Sequence, residues 1–173
     1  GCNINLNITL TQPVAPFTLA AQATDVLCFG ANTGSIDLIP SGGTFPYTYA
    51  WSNSQTTEDI TTLIAGTYSV SATDNNGCTA FFTVQVDEPN QPIAIANTIS
   101  NVLCFGDSTG AIDLTISGGT PGYSFNWNGG TYSTEDITML PSGTFIVTVT
   151  DANNCQLNDT FFVAQPISPL VST

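Results

Sequence analysis

The sequence predicts an all-β chain of tandem immunoglobulin-like β-sandwich domains joined by short Pro-rich linkers. Three observations carry that prediction: an internal repeat of about 76 residues, apolar residues that alternate with polar ones inside each repeat, and turn residues between the alternating runs.

The repeat is read by self-comparison. Val26-Leu27-Cys28-Phe29-Gly30 returns as Val102-Leu103-Cys104-Phe105-Gly106, a shift of 102 − 26 = 76. Gly42-Gly43-Thr44, Tyr47 and Trp51 return at the same shift as Gly118-Gly119-Thr120, Tyr123 and Trp127. From Thr57-Glu58-Asp59 to Thr134-Glu135-Asp136 the shift is 77, and it stays 77 through Asp74 to Asp151 and Cys78 to Cys155. One residue has therefore been inserted in the turn between them. Gly1-Cys2 matches Gly77-Cys78, and a proline follows each cysteine eleven residues later, at Pro13, Pro89 and Pro166.

This register divides the chain into residues 1–13, the closing strand of a preceding repeat; 14–89, a first repeat; 90–166, a second; and 167–173, the start of a following one. Each join carries a PxxP segment: Pro13-Val14-Ala15-Pro16, Pro89-Asn90-Gln91-Pro92 and Pro166-Ile167-Ser168-Pro169. Such segments favour extended polyproline geometry, which suits a semi-rigid spacer between domains.

Within a repeat the period is two. Ile36 and Leu38, then Tyr47, Tyr49 and Trp51, then Tyr68, Val70 and Ala72 alternate with polar neighbours, as do Ile112, Leu114 and Ile116, Tyr123, Phe125 and Trp127, and Phe145, Val147 and Val149. Half-buried antiparallel strands have this pattern because successive side chains point to opposite faces. Ser41-Gly42-Gly43, Asn53-Ser54, Ala65-Gly66 and Asn75-Asn76-Gly77 punctuate the runs, the last as a hairpin turn. Its counterpart Ala152-Asn153-Asn154 puts Asn where Gly stood, and Asn tolerates the left-handed conformation. About seven short strands around a central Trp give one immunoglobulin-like sandwich per repeat.

Charge excludes whole classes of function. The 173 residues hold 13 Asp plus Glu and no Lys, Arg or His, a formal net charge of −13. Binding to nucleic acid or to an anionic membrane requires cationic side chains, so neither is expected, and side-chain salt bridges cannot form. A content of 42% hydrophobic residues supports a core in spite of the charge. No stretch approaches 18 consecutive apolar residues, so no membrane insertion is expected, and no signal-peptide pattern opens the chain. Without His or Lys, acid–base and nucleophilic catalysis lose their commonest groups. A two-carboxylate site at Glu58 and Asp59 fails because neighbours on a strand face opposite ways.

The motifs resemble the SprB-type repeat of large bacterial cell-surface gliding adhesins. They are Cys28-Phe29-Gly30, Gly34-Ser35-Ile36-Asp37-Leu38, Ser41-Gly42-Gly43-Thr44, Pro46-Tyr47, Trp51-Ser52-Asn53, Thr57-Glu58-Asp59-Ile60, Leu63, Ala65-Gly66-Thr67-Tyr68 and Thr73-Asp74-Asn75-Asn76-Gly77-Cys78. The second copy departs at Gly122 for Pro46, Phe145 for Tyr68 and Asn154 for Gly77, so only the first has a tyrosine hydroxyl to tie down its corner. The resemblance implies a long surface-exposed or released filament, export by the type IX route and no catalysis. Its expected role is an extracellular structural or adhesive repeat in a bacterial surface fibre or adhesin stalk, with neighbouring repeats as first partners and surface glycans or abiotic surfaces beyond them.

Candidate sites follow from an extracellular setting. Cysteines there are expected as disulfides. Pairing within repeats gives Cys28 to Cys78 and Cys104 to Cys155 and leaves Cys2 to a residue outside the 173. Pairing across junctions, Cys2 to Cys28 and Cys78 to Cys104, would have to span two strands and a spacer, so pairing within repeats is preferred. Zinc is excluded by the lack of His and of CxxC spacing, and no cofactor is expected apart from calcium. Its candidate ligands are Asp37, Glu58, Asp59 and Asp74 in the first repeat and Asp113, Glu135, Asp136 and Asp151 in the second. Against that stand the lack of a D-x-D-x-D-G loop and the ordinary role of Asp in hairpin turns. Asn7 and Asn158 lie in N-x-T sequons and are candidate glycosylation sites.

The alternative functions are a calcium- or carbohydrate-binding module and a fibril subunit whose segment Asn3 to Thr11 completes a neighbour's sheet by strand donation. The alternating Tyr47, Tyr49 and Trp51, with Tyr123, Phe125 and Trp127, fit a sandwich interior better than a sugar-stacking platform.

Overall fold

The computed structural model describes residues 15–167. They form twelve strands and no helix. Two compact units share them: residues 15–26 with Asn32–Asp87, and Leu27–Ala31 with residues 88–167. The five residues Leu27–Ala31 thus leave the repeat that their sequence position assigns them to.

In the first unit the strands are β1 (Thr18–Thr24), β2 (Gly34–Ser41), β3 (Thr48–Trp51), β4 (Ile60–Leu63), β5 (Gly66–Thr73) and β6 (Thr79–Val86). They form two three-stranded antiparallel sheets, ordered β1-β2-β4 and β3-β5-β6. The second unit repeats this with β7 (Ala94–Ser100), β8 (Gly110–Ser117), β9 (Ser124–Trp127), β10 (Ile137–Leu140), β11 (Gly143–Thr150) and β12 (Gln156–Val163), in sheets β7-β8-β10 and β9-β11-β12. This is the immunoglobulin-like arrangement of two antiparallel sheets, in which the first, second and fourth strands lie opposite the other three.

Each unit has six strands where the sequence suggests about seven. Residues 52–59 curl around the indole instead of adding a strand. Trp51 N–H donates to the Gln55 carbonyl (3.0 Å), its Nε1–H donates to the Thr57 carbonyl (3.0 Å), and Ser54 takes φ 69°. Trp127 is held in the same way by Tyr132 and Thr134.

The alternation read from the sequence becomes burial. Ile36, Leu38, Trp51, Tyr68, Val70 and Ala72 are buried in the first unit, and Ile112, Leu114, Trp127, Phe145, Val147 and Val149 in the second. Tyr47, Tyr49, Tyr123 and Phe125 are half-buried and pack at the margin. With no salt bridges available, this burial, at about 25 cal/mol per Å² of apolar surface, and the strand ladders are what hold each sandwich together.

The tyrosine expected to tie down the corner does so: Tyr68 Oη donates to the Ile64 carbonyl at 2.9 Å. Phe145 has no such group. Tyr68→Phe is expected to destabilise the first unit by about 1 kcal/mol in chemical denaturation and to leave the second unchanged.

The two ends of each sandwich are distinct, and this positions the site. Val26, just past β1, donates its N–H to the Asp87 carbonyl just past β6 at 2.8 Å. The loop after β1 therefore lies at the end where the chain leaves the unit. The β5–β6 hairpin lies at the other end, where the chain enters: Asn75 N–H donates to the Thr44 carbonyl (2.9 Å), and Gly43 N–H to that of Ala15 (3.4 Å). The second unit matches, with Val102 N–H on the Ala164 carbonyl (2.9 Å) and Gly119 N–H on that of Gln91 (2.8 Å).

Glycine is required where the incoming chain is clamped. A Cβ on Gly42 would sit 2.1 Å from the Pro16 carbonyl oxygen, and one on Gly118 1.9 Å from that of Pro92, with φ of 72° and 71°. The spacer's last proline is thus seated on the sandwich that follows it.

Candidate functional site

Two loops in each unit carry the chemistry that the sequence singles out: the loop after the first strand, with Cys28 or Cys104, and the β5–β6 or β11–β12 hairpin, with Cys78 or Cys155.

The hairpin is built around a buried carboxylate. Asp74 Oδ1 accepts from Asn76 N–H (2.9 Å) and Cys78 N–H (2.8 Å), and Oδ2 from Thr44 N–H (2.9 Å). Asp151 repeats this with Asn153, Cys155 and Thr120, each at 2.9 Å. Both residues are only 4% exposed. Burial alone would raise the Asp74 pKa, but the backbone donors of Cys78, Thr44 and Asn76 outweigh it and hold the carboxyl below the ordinary carboxylate value. Gly77 and Asn154 close the two turns at φ 82° and 65°, the left-handed conformation that the sequence calls for.

The disulfide differs from expectation. Cys28 is bonded to Cys155 within the second unit, and Cys78 and Cys104 are exposed free thiols. Neither Cys28–Cys78, Cys104–Cys155 nor Cys78–Cys104 forms. Strand direction explains why: Cys28 lies beside the end of β6 and Cys78 immediately before its start, and eight extended residues separate these by roughly 25 Å. A disulfide spans only about 4.4–6.8 Å between Cα atoms. Cys104 and Cys155 are separated in the same way by β12. Cys2 and Asn7 lie outside the described residues.

Asn153, which the sequence reading passed over, completes the bonded site. Its Nδ2 donates to the Leu27 carbonyl (3.1 Å) and to Thr120 Oγ1 (2.9 Å). The signal was its match to Asn76 at the 77-residue shift. Phe29, Ile93, Leu157 and Asp151 line a cleft beside the disulfide.

The remaining calcium candidates are spread out. Asp59 and Asp136 accept from the backbone N–H of Leu38 (3.0 Å) and Leu114 (2.9 Å). Glu58 accepts from Tyr49 Oη, whose pKa is pushed well up, first by burial and then by that carboxylate. Asp37 and Asp113 are exposed on β2 and β8, and Glu135 is exposed in the loop before β10. Among the described residues no three carboxylate or thiol side chains come together as a metal cluster.

Asn158 is exposed on β12, and its Oδ1 accepts from Thr148 Oγ1 at 2.7 Å. Trp51 and Trp127 are 5% and 0% exposed, so of the aromatic triplets the two tryptophans belong to the interior, and Tyr47, Tyr49, Tyr123 and Phe125 stay at its margin. Every charged side chain is negative, so all side-chain charge–charge terms are repulsive. Raising salt from about 0.01 M to 1 M, which shortens the screening length from about 30 Å to 3 Å, is expected to raise the melting temperature of both units.

The SprB repeat model matches residues 20–56 and 96–132, in equal phase with the shift of 76. Both segments are similar to the SprB repeat. Each match runs from the first strand through the central Trp and includes the loop cysteine, Cys28 or Cys104. No curated protein matches the chain. Among solved structures, the C-terminal 282-residue fragment of intimin in complex with the translocated intimin receptor's intimin-binding domain is 16% identical, at a TM-score of 0.45, with 88% of this chain and 65% of that chain covered. The N-terminal eight Ig domains of Down syndrome cell adhesion molecule are 11% identical, at 0.43, with 87% and 25% covered. Domains 4–9 of the surface layer protein SbsC are 14% identical, at 0.34, with 91% and 32% covered. The chain thus spans less than two thirds of each of these chains.

Proposed function

We propose that these SprB-like repeats form part of a bacterial surface fibre or adhesin stalk, outside the cell, with a mechanical and adhesive role and no catalytic one. The observation that carries this reading is the SprB match in two equally phased segments. Each segment lies in a sandwich whose chain entry and exit are at opposite ends. Modules with their entry and exit at opposite ends can be joined in series, and a pull on the chain then loads each sandwich between its two ends. The absence of cations leaves a uniformly anionic surface that resists collapse and is free of trypsin sites. The disulfide fits an oxidising compartment, and export by the type IX route and a glycan coat belong to the same reading.

The test is surface shaving of intact cells. Chymotrypsin is expected to release peptides of this chain from whole cells, and deletion of its coding segment to reduce attachment of the cells to surfaces. Peptides seen only after lysis would overturn the reading.

A further inference from the structure

The bonded pair and the two free thiols occupy equivalent positions. Cys104 corresponds to Cys28 at a shift of 76, and Cys78 to Cys155 at a shift of 77. The structure therefore holds one complete cross-link and each half of another.

Both halves have the shape that the complete link has. The Cys28 loop closes with Ala31 N–H on the Cys28 carbonyl (3.0 Å), and the Cys104 loop with Asp107 N–H on the Cys104 carbonyl (3.1 Å). Gly30 N–H donates to Glu88 Oε2, and Gly106 N–H to Gln165 Oε1 (3.0 Å). On the hairpin side, Cys78 N–H and Cys155 N–H each rest on the buried Asp four residues before. Asn76 Nδ2 donates to Thr44 Oγ1 at 2.9 Å, as Asn153 does to Thr120 Oγ1. Asn153 also holds the Leu27 carbonyl of the bonded loop. In the bonded loop Leu27 is 50% exposed, and in the unbonded one Leu103 is 78% exposed, while Phe29 and Phe105 are alike at 48% and 47%, so the two loops differ in the exposure of the leucine alone.

We infer that Cys78 and Cys104 are half-sites of a disulfide ladder, in which the loop cysteine of each repeat bonds the hairpin cysteine of the repeat that follows. The partner for each is another repeat of this kind, from the same polypeptide or a second copy. In each bond two thiols lose two protons and two electrons to an external disulfide oxidant, which leaves as two thiols. The inference rests on the array reading for its setting.

The test uses the full chain carrying Cys2→Ser, oxidised with a glutathione buffer at low and high protein concentration and mapped unreduced after Asp-N and chymotrypsin digestion. Cys28–Cys155 is expected within single chains at both concentrations. At high concentration a series of reducible oligomers is expected, joined by Cys104 of one copy and Cys78 of the next, and Cys104→Ser is expected to abolish the series. Symmetric Cys104–Cys104 and Cys78–Cys78 links in equal yield, glutathione caps on both thiols, or a Cys28–Cys78 bond within one chain would each overturn the ladder. Failure of the ladder with the chain still shaved from intact cells leaves the surface role standing. A ladder in a chain that shaving does not reach removes that role alone.

Discussion

Asp151→Ala destabilises the second sandwich by roughly 3–5 kcal/mol and leaves the first near its original stability, read by calorimetry as a drop in one of two transitions. The substitution strips acceptors from the N–H groups of Thr120, Asn153 and Cys155. A buried donor left without a partner costs about 1–3 kcal/mol, and losses of this size mark a broken buried network. The same hairpin carries Cys155, so the variant also loosens the disulfide's anchor and slows formation of the Cys28–Cys155 bond during refolding.

Asp74 does the same for the first sandwich and adds a pH dependence of known sign. Its folded pKa lies below the ordinary carboxylate value, so the stability it contributes is fully present above about pH 4. That stability is lost as pH falls towards the folded value. Acid titration of the wild type is expected to weaken the first unit below about pH 4, and Asp74→Ala is expected to flatten this acid limb.

Much of the fold was legible because it depends on local period. The pairs Ile36 with Leu38 and Val147 with Val149 sit on inward faces as their alternation requires, and Asn154 takes the left-handed turn that only Gly or Asn adopts easily. The missing seventh strand was not legible, because residues 52–59 are shaped by the carbonyls that the Trp51 indole and backbone meet, not by their own pattern. The disulfide failed for a different reason. Spacing shows that cysteines recur but not at which end of a sandwich each lies. Counting strand reversals would have separated Cys28 from Cys78, since the first connection and the last hairpin fall at opposite ends. Asp74 and Asp151 were legible as turn residues, but their burial was not, because it comes from the glycine turn of another strand folding over them.

Pulled by its two ends, the oxidised chain lengthens far less than the reduced one. The Cys28–Cys155 bridge joins residues 127 apart in the sequence, so tension bypasses everything between them. Outside the bridge lie residues 1–27 and 156–173, 27 + 18 = 45 residues, which extend to about 160 Å at most, at 3.3–3.6 Å each. After reduction each sandwich of 76 or 77 residues opens in its own step, and each step gains roughly 200–250 Å once the folded length is subtracted. Single-molecule stretching with and without reductant reads this directly: two large steps with reductant, none of that size without it. An oxidised chain that shows both large steps would mean that Cys28 and Cys155 do not bear the load. In a laddered array consecutive bridges overlap, because the span from Cys28 to Cys155 contains Cys104, where the next bridge starts. The covalent path then runs from Cys155 back to Cys104, 155 − 104 = 51 residues per repeat in place of 76. Such an array keeps about a third of its chain in reserve even with every sandwich unfolded, which a fibre under repeated load requires if its modules are to refold in register.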